Sequence, residues 1–312
     1  MFTNPTPPPP AGALLSLADV TLVKGHATHN DFLVLTDPTG KVVLTSDVVA
    51  WLCDRRAGIG ADGLIRVTRP EFVAAAPAET AGAEWFMDYY NADGTHAEMC
   101  GNGARSFLHR LHTSGLAELT PWEPLQFGTR GGLRRGWRQA TAGGDLYTVD
   151  MGPAQYPGGD SAVADGHDVS VQIAALAGQR PGLRVAMPNP HVVVALDSVD
   201  ELNQAQLVGT ANVTPVLPEG TNLELVVRQE DISPGLGAFR MRVLERGVGE
   251  TASCGTGCCA AAAAVQLWDG PDSPDRYQVT VPGGQVEVHL RETTIELTGD
   301  AVEVAHITLG VV

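Results

Sequence analysis

The chain has 312 residues, 44% of them apolar and 18% charged, which is enough to bury one large core or two medium ones. A formal net charge of -16 argues against nucleic acid or an anionic membrane as a partner, because both attract clustered Lys and Arg. No apolar run approaches the roughly 18 residues of a membrane-spanning helix, so no span is predicted. The composition is typical of an acidic soluble enzyme.

The first sixteen residues hold five prolines and neither Lys nor Arg. They lack the basic start and apolar core of a secretion signal, so we predict a disordered extension over residues 1–16. Five cysteines without framework spacing are typical of reduced thiols, which favours a cytoplasmic location. The sequence has two lysines, Lys24 and Lys41, which leaves few candidates for a Schiff base with pyridoxal phosphate.

Short runs of β-branched or alternating apolar residues predict strands along most of the chain. In chain order they cover Thr21–Val23, Phe32–Leu35, Glu84–Tyr90, Leu146–Asp150, His191–Leu196, Asn222–Val227, Phe239–Leu244, Tyr277–Val281, Gln285–Leu290, Thr294–Leu297 and Ala301–His306. Few helical segments separate them. The pattern favours α+β with meandering sheets over an alternating βαβ series.

Two predicted helices each follow a cysteine turn. After Cys100, apolar residues recur at the spacing of one helix face, at Ala104, Phe107, Leu108 and Leu111. This spacing predicts an amphipathic helix that ends near Gly115. After Cys254, the run Cys258–Val265 is small and apolar on all sides, which predicts a buried central helix that ends at Gly270.

The order of motifs along the chain occurs twice. Asn30 opens a strand before Cys100, and Asn189 opens one before Cys254, while Asn91 and Glu245 precede the two cysteines by the same spacing. A Gly-Pro after a strand marks a boundary between the two copies. We predict domains over 17–150, completed by a strand in 301–312, and over 151–300.

Two cofactor hypotheses fail on their context. The segment Gly58–Gly63 matches a dinucleotide fingerprint, but a helical stretch (Asp47–Arg55) precedes it and a strand-like one (Leu64–Val67) follows, which is the reverse of the required order. The cysteines after Cys254 lack the spacing of a zinc site and are predicted to be core residues. We therefore predict no cofactor and no metal.

The two cysteine turns, Cys100-Gly101-Asn102-Gly103 and Cys254-Gly255-Thr256-Gly257, carry the chemistry. A cysteine at a helix N-terminus meets exposed N–H groups and the positive end of the dipole, which lower the thiol pKa and bind carboxylates. Two thiols that face each other across a cleft can act as base and acid on opposite faces of one carbon. That arrangement would invert an amino-acid stereocentre without a cofactor.

With further motifs, these turns make the chain resemble the diaminopimelate epimerases of the cofactor-independent amino-acid racemase superfamily. The motifs are His29-Asn30-Asp31-Phe32, Asp54-Arg55-Arg56, Asn91-Ala92-Asp93-Gly94, Cys100 to Arg105, Asn189-Pro190-His191, Gly220-Thr221-Asn222, Glu245-Arg246-Gly247 and Cys254 to Gly257. The resemblance implies two similar α+β domains, each a mixed or antiparallel sheet around a central helix, with the active site in the cleft between them. It implies interconversion of LL- and meso-2,6-diaminopimelate for lysine and peptidoglycan synthesis, often by a homodimer.

The resemblance also assigns roles to residues. It implies Cys100 and Cys254 as the acid-base pair, with His191 and Glu245 assisting the thiols. Backbone groups would hold the reacting carboxylate at Gly101, Asn102, Gly255 and Thr256. The distal amino and carboxylate ends would contact Asn30, Asn91, Asn189, Asn222 and Arg246. Gly63 departs from the pattern, because a number of relatives place a glutamine there.

Two other functions fit the same thiols. A proline or hydroxyproline racemase would share the thiol pair but act on a substrate without a second charged end, and Arg246 with the amides favours the longer substrate. A non-catalytic redox module would use Cys100 and Cys254 as a reversible disulfide.

Overall fold

The computed structural model describes residue 9, residues 14–18 and residues 20–310. Most of the predicted disordered extension therefore lies outside the described residues, and its last two residues, Leu15 and Ser16, belong to a 3-10 helix at Leu15–Leu17. The chain divides into two compact units. Unit 1 runs up to Val149 and includes the residues from Asp300 onward, and unit 2 covers Asp150–Gly299.

Eighteen strands and five α-helices are found in the described residues. The strands are β1 (Thr21–Ala27), β2 (Asn30–Thr36), β3 (Gly63–Thr68), β4 (Phe86–Asn91), β5 (Leu125–Thr129), β6 (Gly132–Thr141), β7 (Gly144–Asp150), β8 (Val169–Gln172), β9 (Gln179–Ala186), β10 (Pro190–Ala195), β11 (Asn212–Thr214), β12 (Asn222–Ser233), β13 (Leu236–Glu245), β14 (Gly249–Thr251), β15 (Arg276–Val281), β16 (Gly284–Leu290), β17 (Ile295–Gly299) and β18 (Val302–Thr308). The α-helices are Ser46–Cys53, Gly101–Thr113, Gly159–Asp165, Val199–Gln204 and Gly255–Asp269, and short 3-10 helices also lie at Pro70–Phe72 and Ala78–Gly82.

The two units repeat one sheet topology. In unit 1 the strand order is β18-β1-β2-β3-β4-β5-β6-β7, with β2/β3 and β4/β5 parallel and the other neighbours antiparallel. In unit 2 the order is β8-β9-β10-β12-β13-β15-β16-β17, with β10/β12 and β13/β15 parallel and the other neighbours antiparallel. Strand β11 extends this sheet beside β8, and β14 pairs with β13. The sequence of strand directions is thus the same in both units.

Each unit encloses one long helix. The Cys100 helix (Gly101–Thr113) packs on β1 to β4 and β6, and the Cys254 helix (Gly255–Asp269) packs on β9, β10, β12, β13 and β15 to β17. The alanine run of the Cys254 helix is buried throughout, because small side chains let surrounding strands approach closely. Cys258 and Cys259 are 0% exposed, as predicted for core residues. The predicted α+β fold with a central helix in each half is confirmed.

The sequence missed several elements. Strands β5, β6, β8, β9, β11 and β14 were not predicted, nor were the helices Gly159–Asp165 and Val199–Gln204. Strand β6 carries three arginines and is partly exposed, and β9 contains Pro181, so neither shows a clean apolar alternation. The rejected fingerprint does lie between the helix Ser46–Cys53 and strand β3. No helix in the described part of the chain is long and apolar enough to cross a membrane.

Candidate functional site

Cys100 is the N-cap of its helix in unit 1. Its sulfur accepts a hydrogen bond from the N–H of Gly103 at 3.4 Å. The first N–H groups of an α-helix have no partner within the helix, and the dipole favours negative charge there. The turn therefore directs an N–H group and the positive end of the helix dipole at the Cys100 sulfur.

Asn30 lies beside this sulfur with a fixed amide orientation. Its Oδ1 lies 3.8 Å from the Cys100 sulfur and accepts a hydrogen bond from Asn102 Nδ2 at 3.3 Å. Its Nδ2 donates to the Asp62 carboxylate at 2.9 Å. Because both ends of the amide are occupied, its carbonyl oxygen faces the thiol. Asn30 is thus placed to accept the S–H of Cys100.

A cluster of charged side chains lies next to Asn30 and contacts it through Asp62. Arg55 donates to both oxygens of Asp31, at 2.7 and 3.0 Å, and also to Asp62 at 2.8 Å. Lys24 donates to Asp31 as well. Burial raises the pKa of Asp31, but hydrogen bonds from Arg55 and Lys24 outweigh it and hold the pKa well below its usual range. The cluster therefore stays charged and anchors the start of β2.

Arg105, which the sequence analysis did not include among the site residues, connects the segments around Cys100 by hydrogen bonds. It is 0% exposed and donates to Asn102 Oδ1 at 2.6 Å, to Thr28 Oγ1 at 2.9 Å and to the carbonyl of Asp300 at 3.0 Å. The side chain of Asn102 is thereby held between Arg105 and Asn30.

Asn91 is the last residue of β4 and Asn30 is the first residue of β2, and both lie at the same end of the sheet. Gly63, the first residue of the intervening strand β3, lies between them. Its side chain donates to Thr95 Oγ1 at 3.0 Å and its N–H to the Thr95 carbonyl at 2.8 Å. Asn91 thus lies at the same end of the sheet as Asn30, with its amide engaged in the turn that follows.

Cys254 is the N-cap of the second helix and is 7% exposed. Its sulfur lies 3.5 Å from Thr256 Oγ1. Burial raises the pKa of this thiol well above its usual value, and the carboxylates of Glu245 and Glu224 raise it further, against weaker opposing hydrogen bonds from Thr256 and Gly257. Cys254 is therefore a neutral thiol beside two carboxylates, and the lowered pKa that the sequence predicts for a cysteine at a helix N-terminus is wrong for this residue.

Glu245 is the carboxylate that touches this thiol. It shares a hydrogen bond with Cys254 and accepts another from the hydroxyl of Thr251. Burial raises the pKa of Glu245, and the nearby charge of Glu224 adds to the rise. A carboxylate with a raised pKa beside a buried thiol can take up and return its proton.

His191 is held at both ring nitrogens. Its Nδ1 lies 2.7 Å from Glu224 Oε1 and its Nε2 lies 3.0 Å from Asn189 Oδ1. His191 and Glu224 are both buried. Glu224 was missed from the sequence, although a glutamate within the apolar run Leu223–Val227 was a usable signal, because such residues are rarely buried without a partner.

The remaining predicted ligands of unit 2 lie close together. The N–H of Arg246 donates to Asn222 Oδ1 at 2.8 Å, and its guanidinium donates to the Glu219 carbonyl at 2.7 Å. His191 and Glu219 also line a cavity of about 310 Å³. Gly255 and Thr256 form the first residues of the Cys254 helix. Within the described ranges, no three His, Cys, Asp or Glu side chains are grouped to hold a metal ion.

Solved structures share this fold. The chain superposes on a phenazine biosynthesis protein of the PhzF family from Bacillus anthracis with a TM-score of 0.64 at 15% identity, covering 92% of this chain and 98% of that one. It superposes on a hydroxyproline epimerase from Agrobacterium vitis with a TM-score of 0.58 at 18% identity, covering 93% and 90% of the two chains. At these identities the similarity concerns the fold alone.

Sequence comparison is more specific. The family profile described as diaminopimelate epimerase matches residues 22–157 and 184–304. The diaminopimelate epimerase of Mycolicibacterium smegmatis is 41% identical over 290 residues, which is 90% of this chain and 94% of the relative. Those of Corynebacterium glutamicum (strain ATCC 13032) and Streptomyces coelicolor are each 40% identical, with 92% of this chain and 96% and 94% of the relatives covered.

The family profile and the relatives at about 40% identity define this protein as an isomerase of the amino-acid epimerase type. Within that class, the chain belongs to the diaminopimelate epimerase family.

Proposed function

We propose that this protein interconverts LL- and meso-2,6-diaminopimelate by moving one α-proton between two thiols, those of Cys100 and Cys254. The observation that carries the proposal is that each cysteine caps the central helix of one copy of a repeated sheet. Two equivalent thiols suit a reaction whose forward and reverse directions differ only in the face of the carbon that is attacked.

In this mechanism the proton balance closes within the pair. One cysteine, as thiolate, takes the α-proton while the other, as thiol, delivers its proton to the opposite face. The turnover leaves the two thiols with exchanged protonation states. Helix N-terminal N–H groups at Gly101, Asn102, Gly255 and Thr256 hold the reacting carboxylate and stabilise the charge that develops beside it. This mechanism requires the two thiols to reach opposite faces of the same substrate carbon.

Side chains around each thiol adjust its protonation. Glu245 accepts the proton of Cys254 when that residue becomes the base, which its hydrogen bond and raised pKa support. Asn30 accepts the S–H of Cys100. Arg246, with Asn222 beside it, is suited to the distal carboxylate because a guanidinium can bind one with two parallel hydrogen bonds. Asn91 and Asn189 complete the polar surroundings of the distal end.

The test is to incubate the reduced protein with LL-diaminopimelate and to separate the stereoisomers by chiral chromatography. We expect the meso isomer to appear, and a matched incubation with L-proline or trans-4-hydroxy-L-proline to give no inversion. Inversion of proline instead would support the proline racemase alternative. Inversion of neither substrate by reduced protein would favour the redox-module alternative.

We also propose that the enzyme is a cytoplasmic homodimer that serves lysine and peptidoglycan synthesis. The cysteine spacing lacks a disulfide framework, which supports a reducing compartment. The family resemblance supports the dimer. Light scattering coupled to gel filtration should give twice the chain mass of 32.7 kDa, and the mass of a single chain would exclude the dimer.

A further inference from the structure

The repeat makes Ile65 and Glu224 equivalent residues. Each is the third residue of its strand, in β3 of unit 1 and β12 of unit 2. In the parallel neighbour strand, Phe32 pairs with the first residue of β3 and His191 with the first residue of β12. The apolar pair Phe32/Ile65 of one unit therefore corresponds to the polar pair His191/Glu224 of the other.

The equivalence also holds where the central helices begin. A Cβ placed on Gly103 would lie 3.3 Å from Ile65 Cδ1 and 3.7 Å from the Cys100 sulfur. A Cβ placed on Gly257 would lie 2.7 Å from Glu224 Oε1 and 3.4 Å from the Cys254 sulfur. An isoleucine thus lies under one catalytic turn, and a carboxylate lies under the other.

Packing does not require a carboxylate at this position. Glu224 is 0% exposed, and its Oε2 has no hydrogen-bond partner in the described structure. A buried carboxylate with an unsatisfied oxygen is destabilising, whereas a well-packed apolar residue is not. Unit 1 shows that the same fold accepts an isoleucine there. A buried charge that the fold does not need points to a role in the chemistry.

Geometry identifies the group on which Glu224 acts. Its Oε1 lies 2.7 Å from Nδ1 of His191, while Nε2 of the same ring lies 3.0 Å from Asn189 Oδ1. An ionised carboxylate can only accept hydrogen bonds, so it selects a ring form with a proton on Nδ1, and the Asn189 oxygen accepts a hydrogen bond from Nε2 when that nitrogen also carries a proton. The ionisable groups around Glu224 are His191 on β10, Glu245 on β13 and Cys254 at the helix start.

We propose that Glu224 is a positioning residue that keeps Nδ1 of His191 protonated, so that Nε2 is the nitrogen that exchanges protons during the reaction. This role rests on the proposed function, because it concerns the part of His191 in the proton traffic of the thiols. Glu224 touches neither substrate nor reacting atoms in this account.

The first test reads the ring directly and does not depend on activity. Two-bond proton–nitrogen NMR spectra of ¹⁵N-histidine-labelled protein, with the His191 signals assigned from a His191→Gln sample, report which ring nitrogen carries the proton. We expect the proton of the neutral His191 ring to lie on Nδ1. A neutral ring with an unprotonated Nδ1 in the wild-type protein would overturn the proposal.

The second test uses Glu224→Gln, which keeps the shape and removes the charge. We expect the proton of the neutral His191 ring to be shared between Nδ1 and Nε2 instead of remaining on Nδ1. We also expect kcat to fall at least about tenfold, which is part of the 10²–10⁴-fold acceleration that a positioned acid-base group supplies. KM should change little, because Glu224 is fully buried. Glu230→Gln is the matched control, since Glu230 is an exposed residue of the same strand.

The outcomes separate this role from the function as a whole. Unchanged His191 signals and unchanged kcat in Glu224→Gln would overturn the positioning role while leaving the epimerase intact. A wild-type protein that inverts neither substrate would contradict the proposed function, yet its His191 spectrum would still decide whether Glu224 fixes the ring.

Discussion

The side-chain carbonyl of Asn30 lies 3.8 Å from the sulfur of Cys100 because Asp62 holds the other end of the same amide at 2.9 Å. A residue that the sequence places among the distal ligands therefore faces the thiol through its oxygen. Both the orientation of the amide and its anchor can be tested.

Asp62→Asn should release this orientation. The new amide cannot accept from Asn30 and Arg55 together as the carboxylate does, so the Asn30 amide can flip and turn its NH₂ group toward Cys100. We expect kcat to fall about tenfold, with a loss in unfolding free energy of about 1 kcal/mol, since exposed ion pairs contribute little. Steady-state kinetics measure this change, with a substitution at an exposed residue, Asp272→Asn, as the control. A wild-type kcat for Asp62→Asn would exclude the role of Asp62 as an anchor.

Glu245→Gln should make Cys254 more acidic. Burial and the charges of Glu245 and Glu224 raise the pKa of this thiol, and the variant removes one of those charges. The thiolate should therefore form at lower pH. Iodoacetamide labelling as a function of pH, resolved for Cys254 by mass spectrometry, measures this, with Glu292→Gln as the exposed control. A labelling profile that stays in place or moves to higher pH would contradict the claim that the charge of Glu245 raises the pKa of the Cys254 thiol.

Asp31→Asn should weaken the fold in a pH-dependent way. The folded-state pKa of Asp31 lies below its ordinary value of 3.8, so the charged form stabilises the fold fully above that pH. This contribution is lost as pH falls below 3.8 through the folded-state pKa. We expect denaturant unfolding to show a loss of about 1–3 kcal/mol at neutral pH that shrinks in acid. A difference that is constant with pH would contradict the ion-pair account.

Gly257→Ala and Gly103→Ala form a matched pair at equivalent sites. The new Cβ at 257 would lie 2.7 Å from Glu224 Oε1 and must displace the carboxylate from His191, whereas at 103 it meets Ile65 at 3.3 Å. We expect Gly257→Ala to lower kcat strongly and to cost about 1–3 kcal/mol of stability, with a smaller effect for Gly103→Ala. Equal effects in kinetics and thermal unfolding would count against the placement of Glu224.

Local signals in the sequence predicted the parts of the site that depend on local structure. The glycines after Cys100 and Cys254, and the apolar periods that follow, were sufficient to place both helices. Glu224 could not be placed beside His191, because their pairing depends on the register of β10 against β12, which are separated along the chain by the helix Val199–Gln204. The clusters around Arg55 and Arg105 likewise depend on contacts between distant segments.

Strands with polar surfaces were missed for a similar reason. Only part of β6 and β9 is buried, so tertiary pairing rather than an apolar alternation determines that these segments are extended.

The central claim is that two different thiols remove and return the α-proton. In deuterated water, at early times, the meso product formed from LL-diaminopimelate should carry deuterium at the inverted α-carbon, while recovered LL substrate carries none. Cys100→Ala and Cys254→Ala should each abolish inversion. Deuterium appearing in recovered substrate as fast as in product, or full turnover by either variant, would contradict the account.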